Sequence, residues 1–283
     1  MIANRPGDQS GGAPLKRLLV RNIHTLVTMD EQRREIANGA LTVRGNVIEA
    51  VGTTAELAQD ADQVLDLKDR YIVMPGMVNT HHHFYQVLTR VVKPDGTLFP
   101  WLKALYPIWA GMRSNDVYLS AKLAAAELLL SGCTTTSDHL YMLPNDCSID
   151  DEIRALGELG MRFTAVRGSM SIGESQGGLP PDSVVERESD ILNDSQRLIE
   201  QHHDNRPHAM IRMALGPCSP FTVSEQLMRE SAALARCHPG VRLHTHLAEN
   251  RDDIAYMRER YGMRPGEWIE SVGWLNDDVW HAH

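Results

Sequence analysis

From Leu15 to about residue 70, apolar and polar positions alternate in short runs. KRLLVRNIHTLVTMD, GALTVRGNVIEAVG and QVLDLKDRYIVMPG each carry this two-residue period and are punctuated by Gly and Asn. The pattern predicts a small β-module of sandwich type over residues 15–70. The polar, Gly-rich residues 1–14 read as a disordered tail. After Pro75-Gly76 the pattern changes, and strand-like and helix-like segments take turns from residue 71 to residue 283.

MVNTH reads as the first strand of this second region, and Ser114–Ser131 as an apolar-periodic helix that Gly132 stops. CTTTSDHLY is a β-branched strand, Asp150–Leu159 a short helix and MRFTAVRGSM the next strand. Ser183-Val-Val-Glu186 has capping-box spacing and predicts a helix from there to about His203. HAMIRMALGPCS is strand-like. Thr222-Val-Ser-Glu225 opens a helix to about Arg236, and VRLHTHLAE is again a strand. Arg251–Gly273 reads as helix in two pieces, and DVWHAH as a sixth strand. Trp101, Tyr106 and Trp109 fall in a long loop after the first strand.

Such βα repetition implies a parallel sheet and an α/β fold. Polar residues gather at the C-terminal end of each strand: His81 and His83, Asp138 and His139, Ser169, Cys218 and Ser219, His246 and Glu249, His281 and His283. An open doubly wound sheet gathers them at one crevice, whereas a (β/α)8 barrel spreads them around a rim. The reading is therefore a TIM-type barrel with the small β-module before it. Six strands are legible where such a barrel has eight, so the expectation is a piece of a longer protein.

The net charge of −9, with no basic stripe, argues against nucleic acid as a partner. No run approaches the ~18 apolar residues of a membrane span, and the N-terminus has no apolar core of a signal peptide. The expectation is a cytoplasmic protein with no membrane partner, for which a homodimer is a fair assembly. Cys133, Cys147, Cys218 and Cys237 are widely spaced with no C-x-x-C, which suits free thiols. No Gly-rich phosphate loop, G-x-S-x-G elbow or H-x-E with P-C-x-x-C occurs.

The candidate chemistry lies in two segments, NTHHHFYQ and LHTHLAEN. Side chains two apart on a strand share a face, so His81 and His83 point one way and His82 the other. Taken alone, an H-x-H at a strand end also fits a hydrogen-bonding pair. A second histidine at the end of another strand strengthens the metal reading. His246 holds that position. His244 shares its face one layer deeper and reads as a satisfied core histidine. Glu249, three residues on, sits where a carboxylate could carry protons beside an ion that acidifies water. His283 could polarise the attacked group, with His281 on the same face as its competitor.

At these residues the chain resembles the amidohydrolase superfamily, in the branch of guanine, 8-oxoguanine and triazine hydrolases. PGMVNTHHHFYQ, HTHLAEN, LGPCSPF and DVWHAH carry the resemblance, which runs over residues 15–283. It implies that His81, His83 and His246 bind one divalent metal ion, zinc first with iron as the alternative. It implies Glu249 as proton shuttle and His283 as a second catalytic group. It also implies a further Asp ligand that would lie after His283. Gln86 would read a polar ring edge, Cys218 would face the pocket at a position that packing alone also explains, and Trp109, with Trp101 and Tyr106, could stack on a flat ring.

The activity so implied is hydrolytic deamination of a purine-like heteroaromatic ring, first 8-oxoguanine to urate and ammonia. Guanine deamination and a triazine-type amino- or chlorohydrolase are the alternatives. A relative that has become a scaffold is the non-enzymatic one, and the intact His81, His83, His246 and Glu249 argue against it.

Overall fold

The computed structural model describes residues 15–57 and 60–283. The tail expected over residues 1–14 lies outside the described residues. Chain contacts divide the protein at Gly76 into two compact units.

The first unit is a five-stranded mixed sheet. Its strands are β1 (Arg17–Val27), β2 (Glu35–Arg44), β3 (Val47–Thr53), β4 (Gln63–Asp66) and β5 (Ile72–Val73). β2 pairs antiparallel with β1 and β3, while β4 and β5 both run parallel to β1. The run GALTVRGNVIEAVG splits into two strands because Gly45, at φ +59°, turns the chain between them. Ile23 and Leu26 of β1 are buried and pack with Val20 in a small core of their own.

The second unit is built on six strands: β6 (Met77–Asn79), β7 (Cys133–Leu140), β8 (Arg162–Ser169), β9 (Ile211–Pro217), β10 (Arg242–His246) and β11 (Val279–Ala282). All pairings are parallel, and the spatial order runs β6 to β11 without a break. A doubly wound sheet reverses its order at a switch point, and this one never does. The winding is that of a TIM-type barrel. Seven helices follow the strands: α1 (Leu98–Trp109), α2 (Ser114–Leu130), α3 (Ile149–Leu159), α4 (Glu188–His202), α5 (Glu225–Arg236), α6 (Arg251–Tyr261) and α7 (Pro265–Ser271). Among the described residues no helix is long and apolar enough to cross a membrane.

Three expectations need correction. The stretch holding Trp101, Tyr106 and Trp109 is not a loop but helix α1, preceded by a 3₁₀ turn over Phe84–Thr89. Pro100 and Pro107 obscure it in the sequence. Pro100 falls in the first turn, where no intrahelical N–H is needed, and Pro107 in the last. The capping box at Ser183 does not form. Residues Asp182–Val184 make a 3₁₀ turn, and α4 begins only at Glu188. Glu186 is drawn away instead by the buried Arg167, whose guanidinium holds it at 2.7 and 2.9 Å and Asp194 at 3.0 Å. Finally, α5 is capped by Ser224, which accepts the Leu227 N–H at 3.0 Å. Thr222 turns back to Ser219, and Glu225 accepts the Trp268 indole N–H at 2.9 Å.

Candidate active site

The C-terminal ends of β6, β7, β9, β10 and β11 converge on a cavity of about 240 Å³. His81, His83, His246, Glu249 and His283 all line it. Alternation along the chain after β6 sends His81 and His83 into the cavity. His82 goes the other way, against the Phe84 ring and 3.9 Å from the Asp138 carboxylate.

The imidazoles are held from behind. His83 sets Nδ1 2.7 Å from the His139 carbonyl oxygen, and His246 sets Nδ1 2.7 Å from that of Cys218. A carbonyl only accepts, so each Nδ1 carries a proton and donates it. Burial pushes both rings well below the usual histidine pKa, so both are neutral. Each Nε2 therefore presents a bare lone pair, and the two stand 3.1 Å apart. Two acceptors cannot hydrogen-bond to each other. His81 completes the group, with one ring nitrogen of each of the three residues within 4.8 Å of the others. Burial and then His283 lower His81 to about 4. Three imidazoles with converging ring nitrogens, two of them with their protons committed to carbonyls, are a donor set that suits a divalent ion such as zinc.

His244 and His139 lie one layer below. His244 is fully buried, with Nε2 2.8 Å from His81 Nδ1 and Nδ1 2.8 Å from the Trp280 carbonyl oxygen. His139 stacks on His246 at 4.9 Å and donates from Nε2 to the Gly216 carbonyl oxygen at 2.7 Å. His81, His139 and His244 also place ring nitrogens within 4.8 Å of one another, a grouping that the sequence reading missed. A Cβ on Gly216 would stand 2.8 Å from His139 Nε2, so the ring fits only because that position has no side chain.

Glu249 reaches the cavity from the loop after β10. Ala248 turns that loop in the left-handed region, at φ +57°. Burial, aided by the nearby Asp253 carboxylate, raises Glu249 to about 7. Its Oε1 lies 3.9 Å from His283 Nε2. The His283 ring lies parallel to that of His246, with centroids 5.6 Å apart. Of the two competing histidines on β11 and its end, His283 lines the cavity and His281 does not.

Gln86 and Cys218 line the same space. The Gln86 amide nitrogen lies 3.4 Å from both the Tyr85 and Tyr141 hydroxyls. Tyr141 also walls the cavity, and its contribution was not legible beforehand. Burial pushes the Cys218 thiol far up, so it is a small neutral group. Trp101 and Tyr106 form part of the aromatic wall. Trp109 does not. It is 1% exposed, packs edge-on against Tyr85 and Trp101, and donates its indole N–H to Thr89 at 3.0 Å. The helical spacing of α1 puts it behind the wall rather than in it.

Residues 72–283 match the amidohydrolase family. The chain belongs to that family. It is 44% identical over 273 residues to 8-oxoguanine deaminase from Pseudomonas aeruginosa, covering 95% of this chain and 60% of that protein. It is 35% identical to hydroxydechloroatrazine ethylaminohydrolase from Pseudomonas sp. strain ADP, covering 94% and 57%. Among solved structures, triazine hydrolase from Arthrobacter aurescens superposes with a TM-score of 0.89 at 33% identity, covering 95% of this chain and 60% of that one. Atrazine chlorohydrolase from Arthrobacter aurescens TC1, complexed with zinc, gives 0.88 at 33%, covering 94% and 60%. The chain thus spans about 60% of the length of these amidohydrolases, which are TIM-barrel enzymes.

Proposed function

We propose that this chain carries the metal-binding and proton-transfer half of a hydrolytic deaminase acting on purine-like rings, with 8-oxoguanine as first substrate. The observation that carries the proposal is the facing pair of neutral, unprotonated Nε2 atoms on His83 and His246, 3.1 Å apart beside Glu249. Such a pair needs a shared electrophile. In this reading His81, His83 and His246 hold one divalent ion, zinc by preference and iron as the alternative. When bound, the ion supplies Lewis acidity and brings the ionisation of water down towards neutral pH.

The remaining work falls to the chain's own side chains. Glu249, raised to about 7, can both take and return a proton at neutral pH. It takes the proton from the attacking water and delivers it to the departing amino nitrogen, so ammonia leaves and a carbonyl replaces the amine. His283 Nε2, 3.9 Å from Glu249 Oε1, is placed to orient the attacked group. The aromatic wall of Trp101, Tyr106 and Tyr141 accommodates a flat ring, and Gln86 fixes its polar edge. Cys218 leaves room for an exocyclic oxygen.

Support for the 8-oxoguanine reading comes from the 44% relative. The 35% ethylaminohydrolase and the triazine hydrolase structures favour a second reading, expulsion of an alkylamine or chloride from a triazine. A panel of 8-oxoguanine, guanine, isoxanthopterin and substituted triazines, assayed for ammonia, amine or chloride release, separates the two. Turnover of none of them by the metal-loaded protein would sink both.

A further inference from the structure

We propose that His244 is a positioning residue that fixes the tautomer of the metal-facing His81. The proposal rests on the reading of His81 as a ligand and adds a residue to it. The Trp280 carbonyl oxygen, 2.8 Å from His244 Nδ1, can only accept, so that nitrogen carries a proton. His244 is fully buried against the rings of His81, His139 and Trp280, where an imidazole keeps a single proton; with that proton on Nδ1, its Nε2 has a lone pair and no hydrogen. That lone pair faces His81 Nδ1 at 2.8 Å. His81 Nδ1 must therefore be the donor. Its proton is committed to His244, and its Nε2 is left bare for the cavity.

His83 and His246 reach the same tautomer by donating to backbone carbonyls. Behind His81, among the described residues, the side chain of His244 takes the part of that carbonyl. The relay is rigid. The His244 ring is stacked on the Trp280 indole at 4.4 Å and 17°. The Trp280 N–H in turn donates to the Thr80 carbonyl oxygen at 3.0 Å, next to His81 in the chain. The loop of contacts closes on the residue it orients. Partners behind a ligating histidine are worth roughly 10–100-fold in metal affinity.

The test measures Zn²⁺ affinity by chelator competition in the whole protein, which needs no turnover. His244→Phe keeps a flat ring but no acceptor and is expected to weaken Zn²⁺ binding roughly 10–100-fold. His244→Gln keeps an acceptor oxygen at similar reach and is expected to restore most of that loss. Unchanged affinity in His244→Phe overturns the proposal. So does a loss in His244→Gln as large as in His81→Ala, because His244 would then be a ligand itself. Unchanged affinity in His81→Ala refutes the underlying ligand assignment instead. Nitrogen-15 NMR of the wild-type metal-free protein gives a check that requires no variant to fold. His81 is expected as the Nδ1–H tautomer, and the Nε2–H form would overturn the inference.

Discussion

The Asp253 carboxylate accepts the backbone N–H of Glu249 at 3.3 Å, tying the proposed proton carrier to the first turn of α6. Asn250 caps that helix by accepting from Asp252 and Asp253, so the loop after β10 is bound at both ends. One carboxylate thus stands behind another, both partly stripped of water.

This pairing sets a pH dependence. Burial first, and Asp253 second, raise Glu249 from its ordinary value to about 7. A carboxyl with a raised folded pKa binds more protons folded than unfolded between about pH 4.5 and pH 7. Its contribution to stability is complete below pH 4.5 and is lost as pH rises through 7. In the metal-free protein, Glu249→Gln should raise stability at pH 8 by about 1–2 kcal/mol, discounted for partial exposure, and leave it unchanged at pH 4. Urea denaturation at the two pH values measures this, and equal effects at both would refute it.

The same substitution should lower turnover by about 10²–10⁴-fold. Metal content should stay at the wild-type level, since Glu249 is outside the proposed ligand set. Loss of metal together with activity would move Glu249 into that set.

His83→Ala or His246→Ala should abolish tight Zn²⁺ binding. Each removes one of two facing lone pairs and leaves a single imidazole, buried for His246 and half-buried for His83. Metal analysis after gel filtration reads the outcome. Full occupancy in either variant would remove that residue from the site.

Trp101 and Trp109 separate wall from support. Trp109→Ala should cost about 3–5 kcal/mol of stability, the usual price of emptying a buried indole site. Trp101→Ala should cost clearly less and instead raise KM. Thermal unfolding and steady-state kinetics on the two variants decide it, and a KM effect confined to Trp109 would reverse the assignment.

Arg167 is 2% exposed and pairs with Glu186 and Asp194. Arg167→Met should destabilise by about 2–4 kcal/mol, below the figure for a wholly buried pair because both carboxylates keep some water. Chemical denaturation measures it, and a change under 1 kcal/mol would show the pairing to be dispensable.

Periodicity carried much of this fold. The alternation around β6 separated His82 from its neighbours, and the polar strand ends pointed to a ring before any strand order was known. What escaped detection depends on partners far away in the chain. Asp138 accepts the Phe84 N–H at 2.6 Å and lies against Glu152, both wholly buried; burial raises both carboxyls, with the Glu152 charge adding to it at Asp138 and the Asp151 charge at Glu152. Nothing local in CTTTSDHLY marks that. Glu186 had the spacing of a helix cap, but a buried guanidinium nineteen residues earlier outcompeted the helix for it. Trp109 looked like a stacking residue until the helix through Pro107 turned it inward. In each case local pattern gave the element, and a distant charge or face decided what the side chain did.

The bare backbone of Gly216 beneath His139 has a consequence for descent. The two positions share one volume, since a methyl at 216 would press on the imidazole from 2.8 Å. The same methyl would stand 2.5 Å from Val166 Cγ1. A lineage that gained a side chain at 216 would have to give up both that valine methyl and the histidine at 139, and with the histidine the platform on which His246 rests. Position 216 is therefore bound to glycine for as long as both neighbours stay.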